Sequence, residues 1–121
     1  MLFTLENRKY FECSKEEKQT LIPFIGEIAE LAKTVKTSGL LALEPMLPDI
    51  EDTFLRYGLT LIVDATYPDE VQRLLETKAI ASGKIGVELL RMVIIIECVL
   101  GLANGRAPRL IEENAMLYLG E

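Results

Sequence analysis

Any chemistry in this chain must be done without imidazole. Its 121 residues include no histidine and no tryptophan, so it lacks an imidazole base, an imidazole metal ligand and a histidine pH switch. Carboxylates and thiols remain. Asp49, Glu51 and Asp52 put three acids within four positions, the raw material of an oxygen-ligand cation site. Such a site needs several converging oxygens, and here the acids supply a single local turn. At the start of a helix the same acids complement the helix dipole, and that is the role they are expected to have. Cys98 lies in an aliphatic run and reads as a small core residue rather than a nucleophile. Glu97 is the anomalous acid, set among Ile94, Ile95, Ile96, Val99 and Leu100. An unpaired carboxylate there would be costly to bury. It is the candidate buried acid: either a protonatable or partner-contacting group, or one held by an ion pair or a helix terminus. Gly83-Lys84 follows no glycine-rich loop, and no nucleophile elbow, paired-cysteine pattern or EF-hand loop occurs. The expectation is a non-enzyme with no catalytic residue, no metal ligand and no cofactor.

The bulk composition narrows the partners. Half of the residues are apolar and 26% are charged, with 13 Lys/Arg against 19 Asp/Glu and a net charge of −6. That length suits one domain, 1–121, with a sizeable core. The acidic balance leaves no basic patch for nucleic acid or anionic membranes. Residues 1–20 hold four acids and four bases, so the net charge lies in residues 21–121. Cys13 and Cys98 are widely spaced and follow no secretory-type start, which implies free thiols and a cytoplasmic location. The apolar stretch Ile85 to Ala103 is interrupted by Glu88, Arg91 and Glu97, which argues against a membrane span. It reads instead as a core helix or an oligomer interface.

The periodicity predicts an all-α chain, a compact bundle of about five to six helices around one central apolar helix. Residues 1–13 alternate locally and could form a short strand or an extended arm. Ser14 and Glu17 have capping-box spacing. Leu21, Phe24, Ile25, Ile28, Leu31, Ala32 and Val35 then share one helical face, with Pro23 in a first turn and Gly39 as the stop. A helical turn or two is expected between Gly39 and Pro48. Ile50, Phe54, Tyr57 and Leu61 recur at helical spacing, although Leu59–Val63 is locally strand-like. Pro68 opens a helix with Val71, Leu74, Leu75 and Ala79 on one face, and Ser82-Gly83 ends it. Residues 84–103 form the least polar helix, closed by Asn104-Gly105. Pro108 opens a last helix with Leu110, Ile111, Ala115 and Tyr118 inward.

Two ordered blocks carry a resemblance. The first holds Lys36, Gly39-Leu-Leu-Ala-Leu-Glu44, Asp52-Thr-Phe-Leu55, Ile62-Val-Asp64 and Pro68-Asp-Glu-Val71. The second holds Ile94-Ile-Ile-Glu97 and Gly105-Arg-Ala-Pro108-Arg-Leu-Ile-Glu112-Glu113. Together, over about residues 20–121, they resemble the cytoplasmic regions of MotA-type flagellar stator proteins, of the MotA/TolQ/ExbB family. In that family a transmembrane hairpin separates the blocks. Here only Lys78 to Arg91 joins them, too few residues for two spans. Ala65 stands where the family has a turn glycine, and Cys98 where it has a glycine after the glutamate.

The resemblance implies a soluble, MotA-like contact module that is not itself an ion channel. In the family, a basic residue before the Gly-Leu-Leu segment and the glutamate at its end meet the rotor protein FliG electrostatically. The matching positions are Lys36 and Glu44, which keep the charge signs, although lysine lacks arginine's planar fork. Stator proteins assemble as rings, which implies a homo-oligomer. The alternative is a self-associating helical scaffold or adapter without a motor role, with the apolar Met92–Ala103 segment as its interface.

Overall fold

The computed structural model describes residues 1–120, and within them every regular element is helical. Residues Arg8–Phe11 form a short 3-10 helix. The α-helices are α1 (Lys15–Gln19), α2 (Leu21–Ser38), α3 (Thr53–Val63), α4 (Pro68–Ala81), α5 (Val87–Ala103) and α6 (Pro108–Leu117). A second 3-10 helix, Leu40–Asp49, connects α2 to α3.

The helix ends follow from local chemistry. The Ser14 hydroxyl accepts from the Glu17 amide at 3.0 Å, and the Glu17 carboxylate accepts from the Ser14 amide at 2.9 Å, completing the capping box. Pro68 and Pro108 occupy first turns, where a missing N–H is harmless. At the end of α5, Gly105 takes φ 70°. The Arg106 amide donates to the Gly101 carbonyl at 2.9 Å and the Gly105 amide to the Leu102 carbonyl at 3.2 Å, a Schellman pair. The same pair ends α3, where Thr66 donates to Leu61 and Ala65 to Ile62, both at 3.1 Å. There the left-handed position, φ 62°, is filled by Ala65 rather than glycine.

The centre of the bundle is α5. It packs against α2, α3, α4, α6 and the first 3-10 helix. Eleven of its seventeen residues are buried. The apolar run is therefore spent inside the protomer and presents no broad outer face, so it does not supply the oligomer interface the sequence suggested. Gly58 and Gly101 let neighbours come close. A Cβ on Gly58 would lie 2.9 Å from Val99 Cγ2, and one on Gly101 would lie 3.0 Å from Ile111 Cγ1. Helix α5 begins at Val87 rather than at 84, because Gly83 and Gly86 both adopt positive φ in the preceding turn.

Several expected faces shift. In α3 the buried residues are Phe54, Leu55, Gly58, Leu59 and Ile62, whereas Ile50, Tyr57 and Leu61 are only half-buried. In α6, Ile111 and Ala115 point inward, but Leu110 is exposed and Tyr118 half-buried. Residues 1–13 are neither a strand nor a free arm. Phe11 enters the core, its ring 4.9 Å from that of Phe3, and the Gly86 amide donates to the Tyr10 carbonyl at 2.7 Å.

Candidate functional site

Lys36 sits in the last turn of α2, where its charge complements the helix C-terminus. Gly39 then turns the chain with φ 84°, its amide donating to the Val35 carbonyl at 2.7 Å. The following 3-10 helix contains Pro45 and Pro48, which cannot donate to an α-helical ladder. A 3-10 helix has about three residues per turn, so side chains three apart eclipse. Leu40, Leu43 and Met46 form the inner row, with Leu43 fully buried. Leu41, Glu44 and Leu47 form a second row, of which Leu41 and Glu44 are exposed. Pro45 and Pro48 stand exposed in the third.

The result is a small presented surface with a rigid back. The second 3-10 helix packs on both α2 and α3, with Leu43 as the peg. Lys36 and Glu44 are both exposed, and neither takes part in an ion pair or side-chain hydrogen bond among the described residues. The nearby Lys33 is already paired with Glu30 at 3.0 Å, so among the described residues Lys36 is the cation left unpaired at this end of α2. Leu41, eclipsing Glu44 at 69% exposure, is the residue sequence reasoning missed. The signal available was its three-residue spacing from Glu44 in a segment bounded by prolines.

The other candidates separate. Of the acidic trio, only Asp52 acts as a helix cap, accepting from the Leu55 amide at 2.9 Å. Asp49 ends the 3-10 helix, and Glu51 precedes the cap as an exposed residue. Among the described residues no three carboxylates or thiols converge as metal ligands. Asp52 also accepts from Arg91 Nε at 2.7 Å, and the Arg91 guanidinium lies 3.8 Å over the Phe24 ring. This clamp joins α2, α3 and α5 and is structural.

Glu97 is half-buried rather than buried, because its position faces the seam with α6 instead of the bundle axis. Asn114 Nδ2 donates to it at 3.2 Å. Burial, and then the Glu97 charge, push the nearby Tyr118 phenol above its ordinary range. Cys98 is buried, and its thiol is pushed up to about 12 by burial first and Glu97 second. That suppresses thiolate formation and hence nucleophilicity. Cys13 is half-buried, its thiol also raised by burial, with Lys18 opposing. Both cysteines are free.

No helix of the described residues is long and apolar enough to cross a membrane. No protein-family model matches the chain, and no solved structure matches it. The chain is similar to Motility protein A of Bacillus subtilis (strain 168), with 46% identity over 54 residues; the matched stretch is 41% of this chain and 19% of that relative's length.

Proposed function

We propose that this chain is a helical contact module related to the cytoplasmic part of a motility stator, acting at the cytoplasmic side by protein–protein contact and without catalysis. The observation that carries this reading is the disposition of Lys36 and Glu44. They are opposite charges flanking the Gly39 turn, exposed and unpaired among the described residues. An unpaired surface charge next to an exposed Leu41 suits an electrostatic, partly apolar contact. The partial similarity to Motility protein A supports a motility-related partner. The partner proposed is a flagellar rotor protein of the FliG type.

The test is charge reversal. Lys36→Glu combined with Glu44→Lys should weaken binding to a purified FliG-type rotor protein by roughly tenfold at low salt, with a smaller effect at high salt. Both side chains are exposed, so the fold should persist, with only the small loss of about 0.3–1 kcal/mol expected from an acid at the C-terminal end of α2. Rotor binding that is unaltered by the double reversal would remove this role from the pair.

A further inference from the structure

The N-terminal segment, α1, α5 and the end of α6 border a cleft of about 590 Å³. That volume is of the size that holds small molecules. Its apolar lining comes from Phe3, Leu5, Phe11, Leu90 and Tyr118. The rings are set against one another. Phe3 lies 4.9 Å from Phe11, and 4.7 Å from Tyr118 in an edge-to-face contact. The backbone that carries Phe3 and Phe11 is held on both sides. The Leu2 amide donates to Glu76 Oε2 at 3.1 Å, Asn7 Nδ2 donates to the Leu2 carbonyl at 2.8 Å, and Gly86 holds Tyr10. The aromatic wall is therefore in place before any ligand arrives, which lowers the ordering cost of binding.

Three charged side chains line the same cleft: Arg8, Lys18 and Glu12. Their sum is +1, in a chain whose net charge is −6. Among the described residues neither cation forms an ion pair, with Glu12 or with any other acid. Lys18 is half-buried, a costly place for an ammonium without a counter-charge. Two further acids of this region are engaged elsewhere. Glu17 is taken up by the capping box, and Glu97 accepts from Asn114. Cys13 also lines the cleft, half-buried and free, and the Lys18 charge acts on its thiol. The groove between α2 and α6 is different, because Arg106 is outweighed there by Glu112 and Glu113.

We propose that this cleft binds a small organic monoanion, an aromatic carboxylate. The rings of Phe3, Phe11 and Tyr118 receive its flat body, and Arg8 and Lys18 hold its carboxylate through charge-assisted hydrogen bonds. One negative charge matches the net charge of the lining, and a second would face Glu12. This proposal is independent of the motor reading.

The probe is 2-naphthoate, titrated into the full chain by calorimetry, with its neutral analogue 2-naphthylmethanol in parallel. The naphthoate should bind with a dissociation constant of about 1 mM or tighter, the range for a ligand of this size. The alcohol should bind at least about tenfold more weakly. Arg8→Gln with Lys18→Gln should weaken naphthoate binding by a similar factor, and Lys18→Arg should largely retain it. Cys13 reports the location. It is the half-buried thiol, whereas Cys98 is buried, so saturating naphthoate should slow alkylation of Cys13 by iodoacetamide at least about threefold. No binding up to about 10 mM overturns the proposal. So does binding that leaves Cys13 alkylation unchanged, that survives loss of both cations, or that is equalled by the alcohol.

Discussion

Replacing Ala65 by glycine should stabilise the protein, the reverse of the usual outcome for glycine in a helical protein. Ala65 closes α3 with φ 62° and donates to the Ile62 carbonyl at 3.1 Å. A left-handed backbone costs an L-residue about 1–2 kcal/mol, which glycine does not incur. The added freedom of glycine in the unfolded chain returns about 0.4–1 kcal/mol of that gain. The side chain is exposed, so no packing is lost. The net expectation is a gain of about 0.5–1 kcal/mol, or about 2–4 °C in Tm for a domain of this size. The chain has no tryptophan, so urea unfolding is best followed by far-ultraviolet circular dichroism, with the midpoint rising and the slope unchanged. Ala65→Val should move the midpoint the other way. A loss of stability in Ala65→Gly, of the ordinary size for alanine to glycine, would refute the left-handed assignment and the Schellman closure built on it.

Two further outcomes test the interior. Gly58→Ala would place a methyl 2.9 Å from Val99 Cγ2, and β-branched valine has little rotamer freedom to move away. Overpacking of about 1–3 kcal/mol should outweigh the gain of about 1 kcal/mol in helix propensity. In a Val99→Ala background the same substitution should stabilise by about 1 kcal/mol, and equal effects in both backgrounds would show that the crossing is loose. The Cys98 thiol, raised from 9.0 to about 12 by burial, sets an alkaline limit. Unfolded chains release that proton near 9.0 while the folded chain retains it, so the stability it confers is full below that pH and falls as pH rises toward 12. Tyr118, also raised, adds to the same trend. Urea midpoints measured from about pH 8 to 11 should therefore fall less steeply in Cys98→Ala than in the parent chain, and parallel curves would refute the assignment.

Sequence reading recovers the elements best where the chain carries explicit punctuation. Ser14 with Glu17, Pro68, Pro108 and Asn104-Gly105 mark helix ends that the structure places at those residues. Faces are harder to read. Helix α3 is apolar on several sides, so Tyr57 and Leu61 compete with Leu55, Leu59 and Ile62 for the interior. What decides between them is Gly58, whose missing side chain admits Val99. An absent Cβ adds nothing to a hydrophobic pattern. Residues 1–13 are fixed by a backbone bond to Gly86, distant in sequence, and no local period reports that. For the candidate site, the identities and charge signs of Lys36 and Glu44 are legible, but the alignment of Leu41 with Glu44 depends on 3-10 rather than α geometry. Glu97 stands out by its apolar neighbours in sequence, yet its exposure is set by Asn114 across the seam with α6.

The position of α5 along the chain also bears on biosynthesis. Helices α2, α3 and α4 leave the ribosome before the helix against which they pack. Until α5 and α6 emerge, α2, α3 and α4 lack the surfaces they pack against, and Ile25, Ile28, Leu59 and Leu75 are fully or nearly fully buried only in the finished protein. Until then α2, α3 and α4 emerge as amphipathic helices with exposed stripes, the state most open to chaperone capture and aggregation. Acquisition of the native core waits for α5 and is then collective, so a ribosome stalled before Ala103 should hold a protease-sensitive chain rather than a partial domain.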